Sequence, residues 1–318
     1  MTTAAPIRLG ISSCLLGQTV RFDGGYKRDG FLSDTFGRFV EWVPVCPEVE
    51  AGFGTPREAM RLLNDDGRLR LVTTRGAVDL TDTMVRFARD RVERLDQERL
   101  CGYVLKKDSP SCGMARVKVY DKNNVPARTG QGLFATALRA RYPLLPIEEE
   151  GRLVDPRIRD NFVERVFAYR RVTDLFAVPW TIGALVHFHT AHKLTLMAHS
   201  VPAYQALGQL VARAKAVPRV ELSQRYTEGF MTALGTIATT RRHTNVLQHM
   251  AGYFKTLLDD ASRTELSATI EDYRLGLIPL VVPITLLRHH VRHRHVSYLA
   301  RQVYLEPHPK ELMLRNHV

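Results

Sequence analysis

Gly102-Tyr103-Val104-Leu105-Lys106 followed by Lys107-Asp108-Ser109-Pro110-Ser111-Cys112-Gly113 is the stretch on which the fold turns. Its first five residues form a mostly apolar run of strand length, and its last five turn the chain and present a thiol. The pattern occurs twice earlier. Ile7 to Ser12 leads into Ser12-Ser13-Cys14-Leu15-Leu16-Gly17, and Phe39 to Val45 leads into Val45-Cys46-Pro47-Glu48. Arg68 to Thr73 and Arg116 to Tyr120 read as further strands. Helical patterns lie between them. Thr81 to Leu100 carries Val85, Ala88, Val92 and Leu95 on one stripe with Thr81 or Asp82 as N-cap, and Gly130 to Arg141 stops before Pro143. Alternating strands and helices predict an α/β domain with a mainly parallel sheet. Ligands of such sheets bind beyond the carboxyl ends of the strands, where all three motif cysteines fall.

Arg141 to Asp160 is charge-rich and carries Pro143, Pro146 and Pro156, which marks a linker. Beyond it the pattern is helical: Arg159 to Leu175, Thr181 to His199, Pro202 to Val217, Leu222 to Thr239, Asn245 to Leu258, Ser262 to Leu275 and Pro283 to Tyr298. The predicted organisation is an α/β domain over 1–150, a linker over 151–164 and an all-α domain over 165–318.

The 318 residues are 45% apolar and 25% charged, the composition of a globular protein. No apolar run reaches the ~18 residues of a membrane span. The start, Met-Thr-Thr-Ala-Ala-Pro, lacks the basic and apolar parts of a signal peptide, so a cytoplasmic protein is expected. Four cysteines in such a compartment point to metal or catalysis rather than disulfides. Charge is uneven. From Arg165 onward 19 Lys+Arg face 10 Asp+Glu, a net of +9, against +3 before it, and all 12 histidines lie in the later part, from His187 on. A basic domain beside a thiol-bearing one suggests a polyanionic substrate, and nucleic acid is the usual polyanion. No membrane partner and no obligate protein partner is implied.

Three thiolates at one place make an incomplete ligand set, which leaves a metal site open to substrate; iron–sulfur clusters usually take four cysteines. Cys14, Cys46 and Cys112 are 32 and 66 residues apart, too far for a ferredoxin run or a zinc finger. On residues alone, zinc completed by Glu48 or water, and a single nucleophilic cysteine, both stay open. Neither finds a histidine within the first 164 residues. Cys101 opens the apolar run to Leu105 and reads as a buried small hydrophobe. Glu48 is a candidate general acid/base. Ser109 and Ser111 flank Pro110 and could bond to substrate or sulfide. Asp23-Gly24-Gly25 and Gly52-Phe53-Gly54-Thr55-Pro56-Arg57 could wall a pocket, which nominates Asp23, Gly24 and Arg57.

The helical half carries His187, His189, His192 and Lys193 in one predicted helix, Thr240-Arg241-Arg242-His243-Thr244-Asn245 as a connection between two helices, and a run from Arg288 to His295. On a helix Arg288, Arg292 and His295 share a face. No carboxylate is interleaved with these histidines and several arginines are, so phosphate contact fits better than a metal. Lys193, Arg241, Arg242, Arg288, Arg292 and Arg294 are the candidate RNA contacts.

The three cysteine motifs, with Val20-Arg21-Phe22-Asp23-Gly24 after the first and Gly52 to Arg57 after the second, resemble the signature of the thiouracil desulfidase (TudS) family over residues 6 to 150. That resemblance implies a 4Fe-4S cluster held by three cysteines, Cys14, Cys46 and Cys112, with its fourth iron taking the thio-sulfur of substrate. It also makes Glu48 and Ser109 candidate catalytic residues. Leu185 to His189, Asn245 to His249, Gly252 to Lys255 and Gln302 to Tyr304 resemble the helical domain of YbgA-type proteins. The two-domain arrangement is similar to RudS-type desulfidases, which implies thiolated tRNA as partner and 4-thiouridine as the reacting base. The expected reaction is non-redox removal of sulfur, giving uridine and hydrosulfide. A free thiouracil desulfidase and a non-catalytic RNA-binding iron–sulfur sensor are the alternatives.

Overall fold

A computed structural model describes residues 6–177 and 179–318. Met1 to Ala5, part of the stretch read above for a signal peptide, lies outside the described residues. The chain divides into two compact units, Met1–Val154 and Asp155–Val318.

The first unit runs β1 (Arg8–Ser12), β2 (Glu41–Val45), α1 (Pro47–Glu50), β3 (Met60–Asp65), β4 (Arg68–Thr73), α2 (Thr81–Arg94), β5 (Gly102–Leu105), β6 (Val117–Tyr120), β7 (Pro126–Gly130), α3 (Leu133–Arg141) and β8 (Ile147–Glu149). One sheet has the order β2-β1-β5-β8 with every pair parallel. This is the parallel sheet expected from the alternation, and β5 is buried throughout, as a strand covered on both faces must be. The second sheet, β4-β3-β6-β7, is mixed: β3 pairs β6 in parallel, while β3–β4 and β6–β7 are antiparallel. Its core is Leu62, Leu71, Met84 and Val117.

The buried face of α2 is Met84, Ala88 and Val92, continued by Leu95, whereas Val85 is 49% exposed. The stripe therefore starts one residue earlier than predicted, because Met84 lies four residues before Ala88 and Val85 is rotated about 100° out of line with it.

Gly10 in β1 is a close approach. A Cβ there would lie 2.1 Å from the Tyr103 ring of neighbouring β5. Tyr103 is fully buried and has nowhere to move. Gly10→Ala is expected to destabilise the chain by ~1–3 kcal/mol, the usual cost of overpacking. Urea unfolding checks this, and an unchanged midpoint would contradict it.

The second unit is helical: α4 (Pro156–Phe176), α5 (Ile182–Ala191), α6 (Lys193–His199), α7 (Val201–Ala212), α8 (Arg219–Leu234), α9 (Thr240–Gly252), α10 (Asp260–Arg274), α11 (Val281–His293) and α12 (Ser297–Ala300). Four local expectations need correction. The segment 151–164 is not all linker, since α4 begins at Pro156. The Asp155 carboxylate accepts the Arg157 and Ile158 amides and Pro156 takes the first helical position, where its missing N–H costs nothing. Thr181 to His199 is two helices broken at His192, whose Nδ1–H donates to the Phe188 carbonyl at 2.8 Å. Arg241 and Arg242 lie in the first turn of α9 rather than in a connection, because Thr239 accepts the Arg242 amide and caps the helix. His295 has φ +54° and leaves α11, so it does not share a face with Arg288 and Arg292.

The largest apolar cluster of this unit includes Leu194, Leu247, Met250, Phe254, Leu280, Leu287 and Leu299. Beside it lie buried polar groups: Glu164 with His199 at 3.3 Å, Asp160 with His308 at 3.0 Å, and His243 with the Tyr304 hydroxyl at 2.8 Å. Burial drives the pKa of His192 and of His243 down from 6.5 to about 3. The unfolded chain takes up those two protons below pH 6.5 and the folded chain does so only near pH 3, so stability is lost as the pH falls through that window. His199 acts the other way: burial opposes its charge, the Glu164 carboxylate outweighs burial, and its pKa is raised. Its contribution is present below pH 6.5 and is lost as the pH rises through the raised value. Between pH 6.5 and pH 4 the His199 contribution stays in place while those of His192 and His243 fall, so the urea midpoint is expected to fall over that range; a flat or rising midpoint would contradict this.

Among the described residues, no helix is long and apolar enough to cross a membrane.

Candidate functional site

Three carboxyl ends of the parallel sheet build the site. β1 runs into a 3-10 turn, Ser13–Leu16, which carries Cys14 and closes on Gly17 in the left-handed region. β2 leads into Cys46, which caps α1 and whose amide donates to Glu50 Oε1 at 2.9 Å. β5 ends in the loop that carries Cys112. Ser12 Oγ accepts the Lys106 amide at 3.0 Å and so ties the end of β1 to the start of that loop.

The loop is also fastened to α3. The Gly132 amide donates to the Gly113 carbonyl at 2.8 Å, Leu133 to Pro110 at 3.2 Å and Phe134 to Ser111 at 3.0 Å. The loop carbonyls thus satisfy amides that a helix start leaves unpaired. Gly132 is required for that approach, since a Cβ would lie 2.4 Å from the Ser111 carbonyl oxygen.

Cys14, Cys46 and Cys112 all line one cavity of about 340 Å³, together with Glu48, Arg57, Lys106 and Ser109. All three thiols are free; Cys14 and Cys112 are buried and Cys46 is half-buried. Burial pushes each thiol up, Cys14 to about 11, although the Lys106 ammonium pulls it back. The thiols are therefore protonated at neutral pH and would release protons on taking a metal. Among the described residues, no group of three His, Cys, Asp or Glu side chains is arranged to close on a single metal ion; the three thiols instead line a shared cavity.

Glu48 is held at both oxygens. Arg57 Nη2 donates to Oε2, and the Ser109 hydroxyl donates to Oε1 at 3.4 Å. Arg57 is in turn fixed through Nη1 by the Val20 carbonyl at 3.0 Å and the Gly54 carbonyl at 2.8 Å. Ser109 Oγ accepts the Ser111 and Cys112 amides at 3.2 and 3.0 Å. One serine therefore links the Cys112 backbone to the Glu48 carboxylate.

Not every nominated residue reaches the cavity. Ser111 is fully buried and does not line it. Asp23 and Gly24 do not line it either, because they form a tight turn: Asp23 Oδ1 accepts the Gly25 amide at 3.0 Å and the Gly24 amide donates to Arg21. The turn instead places Arg21 and Phe22 on the wall.

The acidic run at 148–150 was read as linker charge, and it is a clamp. Glu150 pairs with Lys106 and accepts the Lys107 amide at 2.7 Å, and Glu149 accepts the Met114 amide at 2.6 Å. Glu148 pairs with Arg152 at 2.8 Å. Both ends of the Cys112 loop are held from here, one by Glu149 at the end of β8 and the other by Glu150 just past it. Its sequence signal was the apolar Ile147 before three glutamates, too short to show a period.

In the second unit the nominated cations differ. Arg242 donates to the His199 carbonyl at 2.7 Å, and Arg288 pairs with Glu306. Arg241, Arg292 and Arg294 are exposed, and Lys193 lies over the Tyr204 ring at 5.7 Å.

Each unit matches a family model. Residues 9–150 match the family model described as 2-thiouracil desulfurase, and residues 193–309 match that of a protein of unknown function, DUF1722. YbgA of Escherichia coli K12, an uncharacterized protein, is 34% identical over 161 residues, which is 50% of this chain and 95% of YbgA. YbbK of Bacillus subtilis 168, also uncharacterized, is 30% identical over 112 residues, 32% of this chain and 71% of YbbK. The chain belongs to the 2-thiouracil desulfurase and DUF1722 families. A solved structure titled "[4Fe-4S]-dependent thiouracil desulfidase TudS" has 30% identity and a TM-score of 0.38, covering 47% of this chain and 94% of that one. The cysteine cavity lies within the desulfurase-family domain, and α9, α10 and α11 lie within the DUF1722 domain.

Proposed function

We propose that this desulfurase-family chain removes the sulfur of a thiolated uracil with a 4Fe-4S cluster held by Cys14, Cys46 and Cys112, and that its substrate is 4-thiouridine in tRNA. The observation that carries the reading is the single cavity shared by three unpaired thiols and a fixed carboxylate. The donor set fits such a cluster: thiolates are soft ligands suited to iron–sulfur centres, no disulfide competes for them, and three of them leave one iron without a protein ligand. Bound there, the cluster would supply a Lewis-acidic iron with affinity for the thiocarbonyl sulfur rather than the oxygen of ordinary uracil.

The chain's own residues do the rest. Glu48, held by Arg57 and Ser109, takes a proton from the water that attacks the thiocarbonyl carbon. The C–O bond forms, the C–S bond breaks, and the sulfur leaves as hydrosulfide, so water and thiouracil give uracil, hydrosulfide and one proton, with no change in oxidation state. Lys106 faces the same cavity and favours an anion in it. The RNA reading rests on the net charge of +9 after Arg165 and on exposed cations such as Arg241, Arg292 and Arg294.

The test is anaerobic turnover on tRNA containing 4-thiouridine beside free 4-thiouracil. A higher kcat/KM for the tRNA supports the reading. Preference for the free base would make this a small-molecule desulfidase.

A further inference from the structure

The helical unit carries an aromatic and basic surface that phosphate contact alone does not explain. Tyr253 and Tyr298 are stacked with centroids 5.2 Å apart, and His249 meets Tyr253 edge-on at 5.7 Å. His189 lies parallel to Tyr204 at 6.1 Å, and the Lys193 ammonium sits over the Tyr204 ring. These two groups adjoin, because α6, which carries Lys193, packs against α7, which carries Tyr204, and against α9, which ends at Tyr253; burial first, then the Tyr253 and Tyr204 hydroxyls, push the Tyr298 hydroxyl up to about 12. Tyr298 also lines a cavity of about 230 Å³ with His187, Ser297 and Arg301.

Two features give the surface its chemistry. First, α5, α6, α7, α9 and α12, which supply it, contain no Asp or Glu, and the chain has none between Asp174 and Glu221. Second, burial and then Lys193 hold the His189 and His249 rings below the ordinary imidazole pKa, so these are neutral rings at pH 7. Flat neutral rings beside Lys193 and Arg301, with no carboxylate on their helices, match a flat base attached to a phosphate. An intact duplex hides its base faces and could use only the cations. A purely apolar partner would leave the cations unmatched.

We infer that the Tyr253–Tyr298 stack and Arg301, flanked by Lys193 and Tyr204, form a stacking site for an unpaired nucleotide of an RNA substrate. The site rests on the reading of RNA as substrate and deepens it. It binds a single-stranded or looped stretch rather than paired stem, and so orients the RNA.

The test uses the full chain and an unthiolated single-stranded RNA carrying one 2-aminopurine, with the same strand annealed to its complement as comparison. Wild-type protein should bind the single strand more tightly than the duplex and quench the 2-aminopurine by stacking. Tyr253→Ala and Arg301→Ala, both at exposed positions, should each weaken binding about tenfold, the lower part of the range for losing one aromatic–base stack. Tyr253→Phe should keep both affinity and quenching, which a fold defect would not allow. If both alanine variants bind and quench like wild type while RNA binding persists, the stacking site is wrong and the RNA reading stands. If wild-type protein binds neither RNA, both fail.

Discussion

Replacing Cys14, Cys46 or Cys112 by alanine, one at a time, is expected to abolish desulfidation and to leave the protein without a stoichiometric cluster. Each thiol comes from a different strand end, so no neighbouring cysteine can substitute. With two protein ligands instead of three, binding energy is lost directly. Iron and acid-labile sulfide, about four of each per chain after anaerobic reconstitution of the wild type, should drop to background. Cys101→Ala is the control. Cys101 is buried ahead of β5, its thiol faces the Arg99 carbonyl at 3.9 Å, and it does not line the cavity. It should keep the cluster and the turnover. A Cys112→Ala protein with full iron content would contradict the assignment.

Glu48→Gln should lower kcat by roughly 10²–10⁴-fold, the usual worth of a positioned acid/base. The amide keeps the shape and can still accept from Ser109, so the cluster should form normally and KM should change little. A variant with wild-type kcat would remove Glu48 from the chemistry. Loss of the cluster in this variant would make its role structural, through the Ser109 bonds to the Cys112 loop.

Much of this site was legible in the sequence because it is built from local signals. Short apolar runs that end in Ser, Pro and Gly mark strand ends, and parallel topology carries strand ends to one edge. That logic separated Cys101, which precedes its strand, from the three cysteines that follow theirs. What stayed hidden was non-local. β7 has few apolar residues and exists through its pairing with β6. The role of Glu149 and Glu150 depends on contacts 35 to 44 residues away in sequence. Asp23 and Gly24 were nominated by motif, but the turn they make points their neighbours inward instead. In the helical unit, Pro156 read as a break and is a helix start, a distinction that rests on Asp155 as cap. The tyrosine stack could not be read at all, since Tyr204 on α7, Tyr253 just past α9 and Tyr298 on α12 are far apart in sequence.

The decisive measurement is the sulfide released from thiolated tRNA by the anaerobically reconstituted protein, set against the same preparation stripped of iron. One sulfide is expected for each 4-thiouridine lost, with the 4-thiouridine absorbance falling only when the cluster is present. Equal turnover by the iron-free protein would contradict it.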